Sequence, residues 1–396
     1  MKAPDTVEAS DPLNALAAAW RTALDAELPH AVALRHELHA SPYVSGEEEP
    51  TAKRVVDAIG LHAEPIAGTG RLLRLGPPGP AVGLRAELDA LPLAELTGAP
   101  FASPNGAMHA CGHDVHLAAL VAVVRAARRV ELPVGLVALL QPREEVGPTG
   151  AADVVDSGRL LDHHVRALIA AHVQPLVAAG CVTADAGPVN ASVDEVDIVM
   201  TGRGGHGAYP HLAADPVPPL CRAVLALPEA ARSATSPLHP VVVTVPQIEG
   251  SNAPNILPDT ARASGTVRAM REQDRVRVHE RLARTVAGIA EAAGCTGEYR
   301  VRRGEPALVN DATLAAASRE WLTSFGVPTA SFASCGSDDF ATYGAQVPIL
   351  MHFVGTGEGP GGPMLHDARY LPGDEVVGQV ASALLAGYLA GASLAG

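Results

Sequence analysis

Cysteines and basic residues are both scarce in this sequence, and each shortage excludes a class of protein. The 5 cysteines among 396 residues are odd in number, far apart and without CxxC spacing, so a disulfide framework is excluded and a reducing cytoplasm is favoured. Lysine and arginine together number 29 against 43 aspartates and glutamates, and the net charge of -14 argues against nucleic acids and anionic membranes as partners. The first residues lack a basic start followed by an apolar core, so we expect no signal peptide.

One uncharged segment, residues 376–396, is long enough to cross a membrane. It contains a GxxxG motif, but it is rich in alanine, glycine and serine rather than leucine and isoleucine, and no basic residues flank it. We therefore expect a helix packed against the body of the protein and no membrane as a partner.

The order of apolar segments predicts two domains, in agreement with a chain too long for one ordinary core. Up to residue 189, helical segments alternate with strand-length apolar segments, which is typical of a doubly wound, mostly parallel sheet. From 190 to 304, strands alternate polar and apolar residues with period two, as antiparallel strands with one wetted face do. The α/β pattern then returns. We predict a discontinuous α/β domain of residues 1–189 plus 305–396, interrupted by a smaller α+β domain at 190–304.

The nine residues MHACGHDVH, 108–116, contain one cysteine and three histidines. Cys111 and His113 come just before a predicted helix, at which Asp114 is well placed as the N-cap. Residues two apart point the same way in an extended loop, whereas a helix turns them about 200° apart. Because thiolate sulfur and imidazole nitrogen suit Zn²⁺ and related ions, this pair is a candidate metal site.

Other segments bring glutamate or histidine to the carboxyl ends of predicted parallel strands, where open α/β sheets bind ligands. Glu144 and Glu145 follow the strand at 135–141, and His172 ends the strand at 165–171. His366 lies in the loop after a later strand. With Cys111 and His113 these segments offer more ligands than one tetrahedral ion needs, which predicts a two-metal centre with ions ~3.5–4 Å apart.

The adjacent carboxylates and two aspartates have roles that follow from this centre. One of Glu144 and Glu145 can bind metal while the other takes a proton from metal-bound water. Asp89 can orient a metal-binding imidazole, and Asp114 can do so instead of capping the helix.

Several of these residues have a second interpretation. Cys111 and His113 are alternatively a thiol nucleophile and its base, and the two glutamates alone are typical of a solvated surface pair. His109 and His116 flank the site as packing or supporting residues. Small core positions are expected for the remaining thiols of Cys181, Cys221 and Cys295.

With these motifs assembled, the chain resembles the aminoacylase–carboxypeptidase metallopeptidase family, especially its hippurate hydrolase and auxin-conjugate amidohydrolase branch. The resemblance rests most specifically on MHACGHD followed by a QPxEE-type motif. The other matching stretches are GLRAELDALP, GRGGHGAYPH, NAPNILPD, GTVRAM, GSDDF and LHD. Glu87, Arg143 and Asp338 depart from the usual family residues, but none of them is a predicted ligand.

The resemblance implies a metal-binding α/β domain, a smaller lid domain that also forms dimers, and a defined set of site residues. Glu144 is the implied general base, and His206 is the implied lid residue that stabilises the oxyanion, with a simple turn position as its alternative. Asn255 and Arg268 are implied to hold the substrate carboxylate, with a lid salt bridge as the alternative for Arg268. The implied metal ligands are Cys111, His113, Glu145, His172 and His366.

The resemblance also implies the reaction, the cofactors and the partners. We expect an N-acyl amino acid to be cleaved to a carboxylic acid and a free amino acid by two divalent ions, Zn²⁺ or Mn²⁺, with Co²⁺ or Ni²⁺ as alternatives. A homodimer is expected. The alternatives are a dipeptidase or an N-carbamoyl-amino-acid hydrolase with the same centre, or a catalytically silent metal-binding paralogue.

Overall fold

The computed structural model describes residues 12–357 and 361–395. The chain folds as two compact units. The first unit comprises the chain up to residue 187, Asn310–Phe332, and the chain from Thr342 onward, and the second comprises Pro188–Val309 and Ala333–Ala341. Residues 1–11, on which the expectation of no signal peptide partly rests, lie outside the described residues.

The amino-terminal half of the first unit alternates helices with strands. Strands at its centre are buried along their whole length, as suits parallel strands covered on both faces. In chain order the elements are α1 (Pro12–His39), α2 (Glu49–Ile59), β1 (Ala63–Ile66), β2 (Gly70–Leu75), β3 (Ala81–Glu87), α3 (His113–Ala127), β4 (Gly135–Gln141), α4 (Gly150–Asp156), α5 (Arg159–Asp162), β5 (Val165–Ala178) and β6 (Val182–Thr183).

The second unit is built on an antiparallel four-stranded sheet whose buried residues pack against two helices. Its elements are β7 (Gly187–Asn190), β8 (Ser192–Thr201), β9 (Gly205–His206), α6 (Val217–Arg232), β10 (Val241–Glu249), β11 (Ile256–Leu257), β12 (Thr260–Ala269), α7 (Glu272–Ala292) and β13 (Thr296–Arg303). The sheet order is β10-β12-β8-β13, and β9 pairs with β11.

Cys295 lies in the core of this unit, but Cys221 is exposed on α6, so the expectation of a core position is wrong for Cys221.

After β14 (Leu308–Asn310), the chain completes the first unit with α8 (Ala312–Ser324), β15 (Thr329–Ala330), β16 (Ile349–Gly357) and α9 (Glu375–Ala395). The resulting eight-stranded sheet has the order β1-β2-β4-β3-β5-β16-β6-β15. Its central strands β4, β3, β5 and β16 are parallel, and β1 and β2 form an antiparallel edge. The predicted α/β class with a mostly parallel sheet is confirmed.

Helix α9 is the element that the uncharged carboxyl-terminal segment forms. Within the described ranges it is the one helix long and apolar enough to cross a membrane, and 78% of its most apolar window is buried inside the protein. It packs on α1, α3, α8 and the strands of the large sheet. This is the expected core helix.

Residues 333–341 group with the second unit, although the sequence placed them in the larger domain. Backbone hydrogen bonds explain this placement: Ser334 N donates to Val189 O at 3.0 Å, and Ala191 N donates to Gly336 O at 2.9 Å. The segment is therefore joined to the strand that enters the second unit.

Candidate metal centre

Cys111 and His113 lie on either side of a left-handed turn at Gly112, and α3 begins at His113. Gly112 has φ = 82°, and a Cβ atom there would lie 2.4 Å from Val173 Cγ2. Only glycine combines this backbone conformation with so close an approach to β5. The turn, rather than an extended loop, sets the directions of the Cys111 and His113 side chains.

Asp114 is not the N-cap of α3, so that prediction is wrong. The N-cap position is Gly112, and the buried Asp114 carboxylate accepts hydrogen bonds from Arg35 Nε at 3.2 Å and His39 Nδ1 at 3.0 Å. Burial raises the pKa of Asp114, but the charges of His39 and Arg35 lower it well below its usual range. The carboxylate joins α3 to α1 and is not bonded to a predicted metal ligand.

His172 lies inside β5 rather than at its end, because the strand continues to Ala178. Pairing of β5 with β3 stops at Ala170, so His172 stands just beyond the end of its neighbouring strand. Its Nε2 is 3.4 Å from the sulfur of Cys111, and its Nδ1 donates to Val173 O at 2.7 Å. Burial, together with nearby His116, lowers the pKa of His172 to about 3. The imidazole is therefore neutral, as a metal ligand must be.

Glu144, Glu145 and His366 complete the cluster from two further loops. His113 Nε2 is 3.9 Å from Glu144 Oε2 and 4.0 Å from Glu145 Oε1. His366 Nε2 is 3.5 Å from the same Glu145 oxygen. All five predicted ligands and the predicted base are thus brought together.

Asp89 supports two of these residues, mainly through its backbone and one carboxylate oxygen. Its carbonyl accepts from His113 Nδ1 at 2.8 Å, and its Oδ2 accepts from Glu145 N at 3.0 Å and Ser45 Oγ at 2.7 Å. Because Nδ1 of His113 donates, its Nε2 is left as a lone-pair donor on the side of the glutamates.

Charges within the cluster shift the pKa values of its members. Burial raises the pKa of the Cys111 thiol, and the carboxylates of Glu145 and Glu144 raise it further. Burial disfavours a charged His113, but the surrounding carboxylates, with Glu87 foremost, outweigh burial and raise the pKa of this imidazole. Such concentrated negative charge beside a thiol is what a divalent cation offsets.

The residues present fit divalent metal ions. His113 Nε2 and Glu145 Oε1 are buried and have no hydrogen-bond partner among residues 12–357 and 361–395. Leaving such atoms unsatisfied costs roughly 1–3 kcal/mol each, which a bound cation would remove. Donor atoms lie within 4.8 Å of one another in the sets Cys111–Glu145–His366 and His113–Glu144–Glu145.

The predicted lid residues all lie in the second unit. His206 of β9 pairs with Ile256 of β11, and the neighbouring Gly207 N donates to Asn255 O at 2.9 Å, which brings His206 and Asn255 close together. Ala208 N donates to His206 Nδ1 at 3.0 Å, so the exposed ring carries its proton on Nε2. Arg268 lies on β12 of the four-stranded sheet, and its guanidinium donates to Cys335 O at 3.0 Å.

A buried Glu87–His116 pair was not predicted from the sequence. His116 Nδ1 lies 3.0 Å from Glu87 Oε2, and Arg85 donates to the other carboxylate oxygen. Burial raises the pKa of Glu87, but the charge of Arg85 and the hydrogen bond from His116 hold it well below its usual range. The available signal was two charged residues, Arg85 and Glu87, on the same face of a strand otherwise wholly apolar.

The fold and the donor set together define a metal-dependent hydrolase built on an open α/β sheet. The chain belongs to peptidase family M20/M25/M40, whose sequence pattern matches residues 83–386. The resemblance drawn from the motifs is confirmed, and the chain is a hydrolase that acts on amide bonds.

Relatives with assigned activities cover most of the chain. It is 33% identical to N-acetylcysteine deacetylase of Bacillus subtilis over 82% of its length and 87% of the relative. It is 31% identical to N-acetyldiaminopimelate deacetylase of Halalkalibacterium halodurans over 88% of its length and 96% of the relative. Among solved structures it resembles the YXEP protein of Bacillus subtilis, a dinuclear metal-binding peptidase of the M20 family, with a TM-score of 0.80, 29% identity, and coverage of 92% and 98% of the two chains.

Proposed function

We propose that this chain is a two-metal amidohydrolase that cleaves an N-acyl amino acid to a carboxylic acid and a free amino acid, with Glu144 as its general base. One observation carries the proposal. Two adjacent carboxylates, Glu144 and Glu145, lie 3.9 and 4.0 Å from the unsatisfied His113 Nε2, on the side of the centre where Glu145 also meets His366.

Five residues are proposed to hold the two ions. The donors are one thiol, imidazole nitrogens and a carboxylate, a set that suits Zn²⁺ or Mn²⁺ and accommodates Co²⁺ or Ni²⁺. When bound, the ions polarise the amide carbonyl and lower the pKa of a water molecule toward neutrality. The proposed ligands are Cys111, His113, Glu145, His172 and His366.

Glu144 is the carboxylate left to move protons once Glu145 serves as a ligand. Its side chain is 12% exposed, so it can reach both an attacking water and a substrate in the centre. We propose that it accepts the proton of the water and delivers it to the leaving amine. Both proton transfers need a carboxylate that is close to the scissile bond and not bound to metal. With Glu145 as a ligand, the adjacent Glu144 meets this need.

The second unit is proposed to supply the remaining contacts to the substrate. His206 can donate from Nε2 to the developing oxyanion. Asn255 and Arg268 are proposed to hold the carboxylate of the amino acid; Arg268 has five N–H donors, and Cys335 O is the acceptor of one of them. We further propose a homodimer in the cytoplasm, where the reducing conditions suit the free cysteines.

A Glu144→Gln variant tests the assigned base. The amide keeps the size of the side chain but accepts no proton, so kcat is expected to fall about 10²–10⁴-fold while metal content stays at the wild-type level. The measurement pairs steady-state kinetics with elemental analysis. Retained turnover at full metal content would refute the assignment.

A substrate panel tests the reaction class. Acetyl, benzoyl, carbamoyl and aminoacyl derivatives of the same amino acids differ only in the acyl part. The names of the two deacetylase relatives support an N-acyl substrate. Preference for free-amine derivatives would indicate a dipeptidase, preference for carbamoyl derivatives a carbamoyl-amino-acid hydrolase, and no turnover by metal-replete protein a silent paralogue.

A further inference from the structure

We propose that His116 is a positioning residue, which holds the backbone of Val173 and thereby sets the imidazole of His172 in place for metal binding. This inference rests on the proposed function, in which His172 is a ligand. His116 is 1% exposed, and its ring centroid is 4.6 Å from that of His172.

Both ring nitrogens of His116 are already used within the protein. Val173 N donates to His116 Nε2 at 3.0 Å, so this nitrogen is unprotonated and the ring proton lies on Nδ1. Nδ1 then donates to Glu87 Oε2 at 3.0 Å. His116 therefore acts through the backbone of β5 rather than as a ligand, although it lies in one cluster of potential donors with Glu87, His113 and His172.

The partner of His116 is itself held by a series of buried hydrogen bonds across the sheet. Arg85 donates to Glu87 Oε1 and, from Nε, to Gln141 Oε1 at 2.9 Å. Tyr343 Oη donates to the same Gln141 oxygen at 2.8 Å. These hydrogen bonds join β4, β3, α3 and β5. They fix the Glu87 carboxylate, and through it the orientation of the His116 ring.

Val173 is the point at which three contacts of the centre meet. Its amide is held by His116, and its carbonyl accepts from His172 Nδ1 at 2.7 Å, which leaves His172 Nε2 as the lone-pair donor 3.4 Å from Cys111 Sγ. Its side chain fills the space beside Gly112, in the turn that directs Cys111. Loss of the His116 contact would leave the Val173 amide buried and unsatisfied and release this support.

The experiment compares His116→Leu with His116→Gln in the full chain. Leucine removes the acceptor, whereas the carboxamide oxygen of glutamine can still accept from Val173 N. Zn²⁺ affinity is measured by competition with a chromogenic chelator, beside the Tm of each metal-free protein. We expect affinity to fall about 10–100-fold in His116→Leu and to recover in His116→Gln.

A His352→Leu variant is the matched control. His352 is also a fully buried histidine of the large sheet, but its hydrogen bonds run to Thr183 O at 2.6 Å and Ser318 Oγ at 3.1 Å. We expect this variant to lower the Tm of the metal-free protein without changing Zn²⁺ affinity. Unchanged affinity in folded His116→Leu, or an equal loss in His352→Leu, overturns the positioning role. Failure of the wild-type chain to bind metal would instead refute the proposed function.

Discussion

Arg35 on α1 and Asp114 on α3 form a buried ion pair, with 3.2 Å between Nε and Oδ2 and 1% of each side chain exposed. Arg35 also donates to Pro372 O at 2.6 Å and to Asp374 Oδ1 at 2.7 Å. One guanidinium therefore joins α1, the first turn of α3 and the segment that leads from His366 to α9.

Replacing Arg35 by methionine is expected to destabilise the protein by about 3–5 kcal/mol, because it removes one of the two cationic partners of the buried Asp114 carboxylate and leaves it with His39. Denaturant unfolding measures the change. Lys53→Met is the control, since Lys53 is 73% exposed and its ion pair is with the exposed Asp57, so its effect should stay within about 0.5 kcal/mol. An equal decrease in the free energy of unfolding in both variants would show that the buried Arg35–Asp114 pair stabilises the protein no more than an exposed pair does.

Gly112→Ala is expected to weaken both stability and metal binding. The left-handed conformation costs alanine roughly 1–2 kcal/mol, and the new Cβ would lie 2.4 Å from Val173 Cγ2, which forces the turn or β5 to move. Gly98→Ala is the control, because Gly98 has φ = 72° but nothing within 4 Å of its added Cβ. Chelator competition should show weaker Zn²⁺ binding for Gly112→Ala alone; the same loss in Gly98→Ala would mean that the clash is irrelevant.

Removal of metal with a chelator is expected to lower the Tm and abolish turnover, and both should return when Zn²⁺ or Mn²⁺ is added. A ligand at a hundredfold excess over its Kd stabilises the folded state by about 2.7 kcal/mol, and the unsatisfied His113 Nε2 and Glu145 Oε1 indicate where that energy is gained. Scanning calorimetry gives the shift. A His113→Asn variant should show a smaller response to the chelator, and an identical response would exclude His113 as a ligand.

The second unit is expected to lose stability in acid through Asp194. Burial raises the pKa of this carboxyl, but hydrogen bonds from Arg275 and His279 lower it well below its usual range. A group with a lowered pKa stabilises the folded state above its unfolded pKa, about 3.9, and this contribution is lost as the pH falls toward the folded pKa. The free energy of unfolding should therefore decline below about pH 4 more steeply in the wild type than in Asp194→Asn.

The neutral-pH behaviour of the same variant provides a second measurement. Asp194→Asn leaves Arg275 buried without its nearest carboxylate and is expected to cost about 3 kcal/mol. Glu298→Gln is the control, because the Glu298–Arg300 pair is more than half exposed. Parallel pH dependence in the wild type and Asp194→Asn would contradict the assigned role.

The sequence allowed the grouping of the proposed ligands to be predicted, because several of them lie at or beyond the carboxyl ends of parallel strands that meet at one edge of the sheet. It did not allow the buried polar pairs around the centre to be predicted. Arg35 and Asp114 are 79 residues apart, and Glu87 and His116 are 29 apart, so only the packing of helix on sheet shows that they meet.

The ends of strands were predicted wrongly where pairing with a neighbouring strand, rather than the local sequence, determines how far the strand continues. β5 was expected to stop at residue 171, but it continues because β16 pairs with it beyond His172. β13 lies at the edge of its sheet, where most of its residues are exposed and several are charged, so local sequence alone does not set it apart from a loop.

The position of α9 in the core has a consequence for the order in which the chain folds during synthesis. The residues of the second unit between Pro188 and Val309 have a hydrophobic cluster of their own and leave the ribosome early. The parts of β3, β5 and β16 on which α9 packs stay uncovered until Glu375–Ala395 emerges. A nascent chain stalled before this helix would expose bare apolar strands and depend on chaperones until translation resumed.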